Sequence, residues 1–233
     1  MKTALMSLCV VALPLLATAQ VCERTAGARP PLVVELYTSE GCSSCPPADR
    51  WLSSLKGRDD VLPLAFHVGY WDRLGWVDRF ATRETTERQY ALSRAMGARN
   101  VYTPQVVAHG LDWRRWPALP ASNVVASAPM PLKLRRDGDR VVAEVGEAAG
   151  RWTGYWAVLE DGHRSRVSAG ENRGETLAHD HVVRLYRPVG EWQGAQSFTL
   201  VLPPVDAGHP RRIAFVVAGA NDPRPVQALS LGC

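Results

Sequence analysis

Residues 33–55 read "VVELYTSEGCSSCPPADRWLSSL", and this stretch decides the fold. Its first part, entered from Pro30 and Pro31, is β-branched and apolar and predicts a buried strand ending near Thr38. From Ser44 onward it predicts a helix: a serine can cap it, Pro46 and Pro47 are tolerated in the first turn, Asp49 suits that end and Gly57 follows the last turn. Trp51, Leu52 and Leu55 give that helix one apolar face. Between strand and helix sit Cys42 and Cys45, a C-x-x-C pair that can be a redox couple, a metal clip or a structural disulfide. The strand–loop–helix setting favours exchange. Cys42 would meet the unpaired N–H groups and positive end of the helix, which stabilise a thiolate. Cys45, one turn in, would resolve a mixed disulfide formed by Cys42.

The compartment is read from the first residues. "MKTALMSLCVVALPLLATAQ" has a basic Lys2, an apolar run from Ala4 to Leu16 and small residues at Ala17 and Ala19, the pattern of a secretory signal over residues 1–19 cleaved near Ala19-Gln20. The expected location is therefore periplasmic or secreted, and no other run approaches the ~20 apolar residues of a membrane span. Cleavage removes Cys9 and leaves Cys22, Cys42, Cys45 and Cys233. Four thiols in an oxidising compartment suggest two pairs, Cys42-Cys45 and a staple between the chain ends, Cys22-Cys233, the alternative being two unpaired terminal thiols. The formal net charge is +4, but the arginines are scattered and interleaved with acids rather than gathered on one face, which argues against nucleic-acid binding.

Beyond a short N-terminal segment, 20–31, the chain divides in two. Residues 32–128 alternate strand-like and helix-like runs. "VLPLAFHV" (61–68) is a second buried strand, with Pro63 arguing against a central register. An aromatic loop, "GYWDRLGW" (69–76), precedes a helix over 78–97; "TPQVVAHG" (103–110) is a third strand, "LDWRRW" (111–116) a fourth, and a helix near 120–128 closes the unit. Residues 129–233 read as short strands joined by turns. Hairpins are predicted around Asp137-Gly138 and Asp161-Gly162, with further strands at 181–188, 196–203 and 211–219.

The motif, followed some sixty residues later by "VYTPQVV" (101–107), resembles the thioredoxin fold. That resemblance implies a cis proline at Thr103-Pro104, opposite the disulfide, where the backbone docks an incoming peptide. It also implies a buried acid on the strand before the motif, for which Glu35 is the candidate; the alternative for Glu35 is an edge residue in a salt bridge. Taken whole, the chain resembles the DUF1223 family of exported proteins of unknown function, on "VVELYTSEGCSSCPPADRWLSSL", "AFHVGYWDRLGWVDRF", "ERQYA", "VYTPQVV" and "GENRGETLAHDHVVRLYRPVGEW". The expected architecture is an α/β thioredoxin-like domain followed by a small antiparallel β-sandwich-like domain.

Tyr70, Trp71 and Trp76, with Trp113 and Trp116 downstream, are candidates for an apolar rim that binds substrate, against a plain packing role. His179 and His181, two apart in "HDH", begin a metal site, but no third ligand is evident beyond Glu171 and Asn172. A Cu(I) role for the thiols lacks a Met-rich segment, and "GENRG" (170–174) reads as a tight loop. Two functions result. In the first, an exported thiol–disulfide oxidoreductase acts on protein thiols or disulfides, or on a redox partner protein, with no dissociable cofactor. In the second, a non-catalytic envelope binding protein keeps the disulfide permanently. Solvent access to Cys42 separates them: a buried sulfur sinks the enzymatic reading.

Overall fold

Fourteen strands and two α-helices make up the residues described by the computed structural model, 21–121, 127–204 and 208–233. The protein is mostly β-sheet. The expected signal segment and most of the expected helix near 120–128 lie outside the described residues.

The first half runs β1 (Cys22–Thr25), β2 (Leu32–Thr38), α1 (Pro46–Ser53), β3 (Val61–His67), a 3-10 turn (Gly69–Leu74), α2 (Arg83–Ala95), β4 (Gln105–Ala108) and β5 (Leu111–Asp112). The second half supplies β6 (Leu132–Asp137), β7 (Arg140–Val145), β8 (Trp152–Glu160), β9 (His163–Arg166) and β10 (Thr176–His179). It ends with β11 (Val182–Trp192), β12 (Gln196–Val201), β13 (Arg211–Gly219) and β14 (Asp222–Leu231).

One eight-stranded sheet, in the order β14-β13-β8-β11-β3-β2-β4-β5, takes strands from both halves. The boundary expected at 128/129 is therefore crossed by hydrogen-bonded sheet: Val182 of β11 pairs in parallel with Ala65 of β3. Pro63 stands in a fully buried interior strand, contrary to the reading of its register. The pairing explains this. Backbone N–H groups two apart point the same way, and Ala65 N donates to His181 O on the β11 side, so the missing donor of Pro63 faces where no strand of that ladder continues. β8 is also covered on both faces, with Trp156 and Val158 in one core and Tyr155, Ala157 and Leu159 in another. Near-continuous apolar runs such as "WAVL" are what such a strand requires.

A second sheet, β1-β6-β7-β12, lies against the β8-β13-β14 end, and Leu132, Leu134, Val141 and Ala143 meet Trp156, Phe215 and Leu229 between the two. This is the sandwich-like part of the molecule. Its β6–β7 hairpin turns at Gly138, whose φ of +60° suits glycine. The expected hairpin at Asp161-Gly162 does not form. β8 pairs with β11 and β13, whereas β9 leaves the sheet and pairs with β10 in a separate two-stranded ribbon. α2 begins at Arg83 rather than Asp78, because Thr82 and Thr85 close a reciprocal capping box there. The chain ends meet in a Cys22–Cys233 disulfide beside the β1–β6 pair.

Candidate functional site

At the mouth of α1, Cys42 and Cys45 are joined in a disulfide. Cys45 itself occupies the N-cap position with no side-chain cap bond, and Pro46 and Pro47 fill the first turn, where their missing donors cost nothing. The expected serine cap is thus displaced: the Ser44 hydroxyl lies 3.4 Å from Cys42 Sγ instead. Trp71, from the 3-10 turn, ties the pair to Thr103-Pro104, whose peptide bond is cis. The Trp71 indole donates to Thr103 Oγ1 at 2.8 Å, and a Cβ at Gly41 would stand 3.0 Å from Trp71 Cβ, a contact tight enough to favour glycine there.

The sulfurs are covered. Cys42 is 1% exposed and Cys45 is fully buried, against the expectation of an accessible nucleophile. The β9–β10 ribbon lies on the motif loop, its tip bringing Glu171 and Asn172 onto it. Asn172 Nδ2 donates to Glu40 O and Cys42 O, both at 2.9 Å, and Glu171 Oε2 accepts from Ser43 N at 3.0 Å and Ser43 Oγ at 2.8 Å. The "GENRG" segment is a tight loop, as expected, and it also braces the motif.

A buried ionisable network flanks the disulfide. Glu40, two residues before Cys42, accepts from Trp76 Nε1 at 2.7 Å, and His179 Nε2 lies 3.3 Å from its other oxygen. His67 at the end of β3 bonds Asp78 at 2.7 Å, and the His67 and His179 rings meet edge-on at 4.9 Å. Asp49 lies on α1 one turn past Cys45; its N–H donates to Cys45 O at 3.1 Å and its carboxylate accepts from Thr38 Oγ1 at 3.1 Å. Burial dominates the Asp49 carboxyl and pushes its pKa up. Burial also opposes the His67 imidazolium, but Asp78 outweighs it and holds the His67 pKa above its ordinary value. The reciprocal effect holds Asp78 below the usual carboxylate range in spite of its burial. Burial likewise raises the Glu40 carboxyl, but the His179 imidazole and Trp76 indole bring it net below its ordinary value. Such groups are costly to bury, and pKa perturbation of this kind clusters at functional sites.

Glu35 is not brought to the sulfurs. Val34 and Leu36 face α1, so Glu35 and Tyr37 face the other side of the sheet. There Glu35 accepts from Arg88 Nε at 3.0 Å and Nη2 at 2.5 Å, from Tyr37 Oη at 2.6 Å and from Tyr155 Oη at 3.1 Å. It is a salt-bridged residue of an interior strand, not an edge. Tyr70, Trp71 and Trp76 are half-buried beside the motif, whereas Trp113 and Trp116 join the core beneath α1, Trp116 packing on Trp51. His181 turns away from His179, accepting at Nδ1 from Arg212 at 2.6 Å. Among the described residues no group of three or more His, Cys, Asp or Glu side chains is placed to hold a metal ion, and no helix is long and apolar enough to cross a membrane. Sequence reasoning missed Glu40 and Asp78, and it weighed Asn172 only as a metal ligand, not as a brace on the motif. Their signal, polar residues beside the motif, the aromatic loop and the 170–174 loop, is indistinguishable from solvated loop composition until the chain folds.

The family described as "Protein of unknown function (DUF1223)" matches residues 33–218. Among solved structures, protein AGR_C_4864 from Agrobacterium tumefaciens is 29% identical and superposes with a TM-score of 0.65, over 88% of this chain and 96% of that one. HBP35 of Porphyromonas gingivalis, 15% identical, gives a TM-score of 0.56 over 88% of this chain and 75% of its own, a likeness of fold alone. No curated protein matches the sequence.

Proposed function

The chain belongs to the DUF1223 family, and on that premise we propose that it is an exported, non-catalytic binding or interaction protein. In this reading a thioredoxin-like scaffold keeps Cys42–Cys45 as a structural disulfide. The observation that carries the reading is the 1% exposure of Cys42. Thiol exchange needs a thiolate to reach a sulfur, so access limits it as firmly as pKa does. The partner face would be the aromatic turn beside the motif, where half-buried Tyr70, Trp71 and Trp76 lead into Val77, which is 71% exposed.

One observation favours the second reading, a thiol–disulfide oxidoreductase. The parts of an exchange site stand together: the disulfide at the mouth of α1, Thr103-Pro104 tethered to it through Trp71, and the buried Asp49 carboxyl one turn past Cys45. In that reading Cys42 attacks or is attacked, Cys45 resolves, and Thr103-Pro104 docks the substrate backbone. Exchange then requires the ribbon tip to lift. Cys45→Ser separates the readings, because it leaves Cys42 without its resolving partner. A structural disulfide predicts no mixed disulfides when this variant is incubated with a periplasmic extract and trapped with acid. Accumulation of covalent Cys42 adducts, absent from Cys42→Ser, would reverse the assignment.

A further inference from the structure

We propose that the β9–β10 ribbon is a protective clasp over the Cys42–Cys45 disulfide, closed by Asn172 and Glu171, and that its opening sets how fast any thiol reaches the sulfurs. The inference goes beyond the proposed function, since it concerns the rate of access and not whether the disulfide is permanent at equilibrium.

The clasp is distinct from the sheets that bear the motif. β9 and β10 pair only with each other, Thr176 to His179 against Arg166 to His163, and belong to neither large sheet. Two glycines with positive φ bracket the tip, Gly170 at +75° and Gly174 at +94°, conformations that glycine adopts freely and that suit a pivot. Within the tip, Gly174 N donates to Val167 O at 2.9 Å and Glu175 N to Asn172 O at 3.1 Å, so it holds its shape and would move as one piece.

Its closure is specific. Asn172 is 5% exposed and gives its amide to two carbonyls of the motif loop, Glu40 O and Cys42 O. Both carbonyls precede α1; Cys42 O also accepts from Cys45 N at 3.2 Å, so there the amide fills the second lone pair, while at Glu40 O it pairs a carbonyl outside the helix ladder. Glu171 reaches the next residue, holding both donors of Ser43 on one carboxylate oxygen. On its other flank the tip rests on the 3-10 turn, where a Cβ on Gly170 would stand 3.6 Å from Trp76 Cβ and 3.8 Å from Leu74 Cβ. At the base, His179 keeps β10 beside Glu40. The loop that carries the sulfurs is thus held by side chains from a segment far along the chain, through hydrogen bonds that are few and individually removable.

The test is the rate of reduction of Cys42–Cys45 in the full oxidised protein by dithiothreitol. A thiolate of the reagent attacks one sulfur and displaces the other. The second reagent thiol then closes its own ring, so two electrons and two protons pass to the cysteines and one cyclic disulfide leaves. Alkylation and peptide mapping separate this pair from Cys22–Cys233. Asn172→Ala removes two hydrogen bonds of ordinary net worth and should accelerate reduction about ten- to a hundredfold. Glu171→Ala, at an exposed position, should accelerate it about threefold or more, and Glu171→Gln, which keeps an acceptor, should stay closer to the parent. Rates for Asn172→Ala within about twofold of the parent would overturn the clasp. So would an acceleration that follows urea as steeply as global unfolding does. Should Asn172→Ala fail to fold, Glu171→Ala decides alone by the same twofold criterion. The equilibrium reduction potential, which tests the proposed function, is untouched by either outcome.

Discussion

Replacing Arg88 with methionine should cost about 3–5 kcal/mol of folding free energy, the range for stripping one partner from a buried ion pair. Arg88 and Glu35 side chains are only 14% and 4% exposed, so water screens the pair little. The guanidinium grips the carboxylate through Nε and Nη2, donates to Tyr186 Oη at 3.0 Å, and lies 4.1 Å from the Tyr155 ring centroid. Methionine replaces the aliphatic stem but leaves the Glu35 charge with two phenol donors and no cation. Glu35→Gln should cost less, because its amide oxygen still accepts from a phenol, although Arg88 is then left without a counter-charge. The double variant removes both charges and should be more stable than the sum of the single effects predicts, with a coupling of about 2 kcal/mol or more. Urea denaturation of the oxidised protein at neutral pH measures all three, and the Arg88→Met midpoint should fall by roughly 10 °C in a parallel thermal scan. A loss below about 1 kcal/mol, or strictly additive single variants, would refute the claim that this pair anchors α2 to the sheet.

Three further outcomes are expected. Replacing Cys22 and Cys233 by alanine opens a loop with a sequence separation of 211 and should cost about 5 kcal/mol, read as the shift in denaturation midpoint against the oxidised parent. The His67–Asp78 bond should make stability depend on pH in two directions. The raised His67 pKa gives a contribution complete below about 6.5 and lost as pH rises through the folded value; the lowered Asp78 pKa gives one present above about 3.9 and lost as pH falls through its folded value. Stability measured from pH 4 to 9 should therefore decline above about 6.5 more steeply in the parent than in His67→Gln, and equal slopes would contradict the assignment. Gly154→Ala should destabilise by about 1–3 kcal/mol in the same denaturation assay, because its Cβ would stand 2.6 Å from Val216 O across the β8–β13 pair.

Local chemistry made much of the first half legible in the sequence. The apolar run into Thr38, the prolines after Cys45 and the glycine at 57 placed β2 and α1, and Cys22 and Cys233 were readable as a candidate pair because chain ends often lie close together. What escaped was long-range. Nothing local to "HVVRLYRP" says that β11 pairs with β3 across the expected boundary, and nothing local to Asp161-Gly162 says that β9 turns out of the sheet. β14, for which no strand was expected, carries Pro223 and Pro225, which its edge position tolerates. At the site, Cys42 and Cys45 were evident, but nothing local says that Asn172, some 130 residues away, bonds the Cys42 carbonyl. Glu35 was drawn towards the motif by its distance in sequence, whereas strand alternation turns it to the opposite face.

The reduction potential of Cys42–Cys45 in the mature protein, poised in glutathione and dithiothreitol buffers and read by thiol trapping with mass spectrometry, tests the central claim most directly. A structural disulfide predicts a potential below about −300 mV. A value between about −120 and −270 mV would mean that the pair exchanges electrons in its compartment, and the oxidoreductase reading would replace the one proposed here.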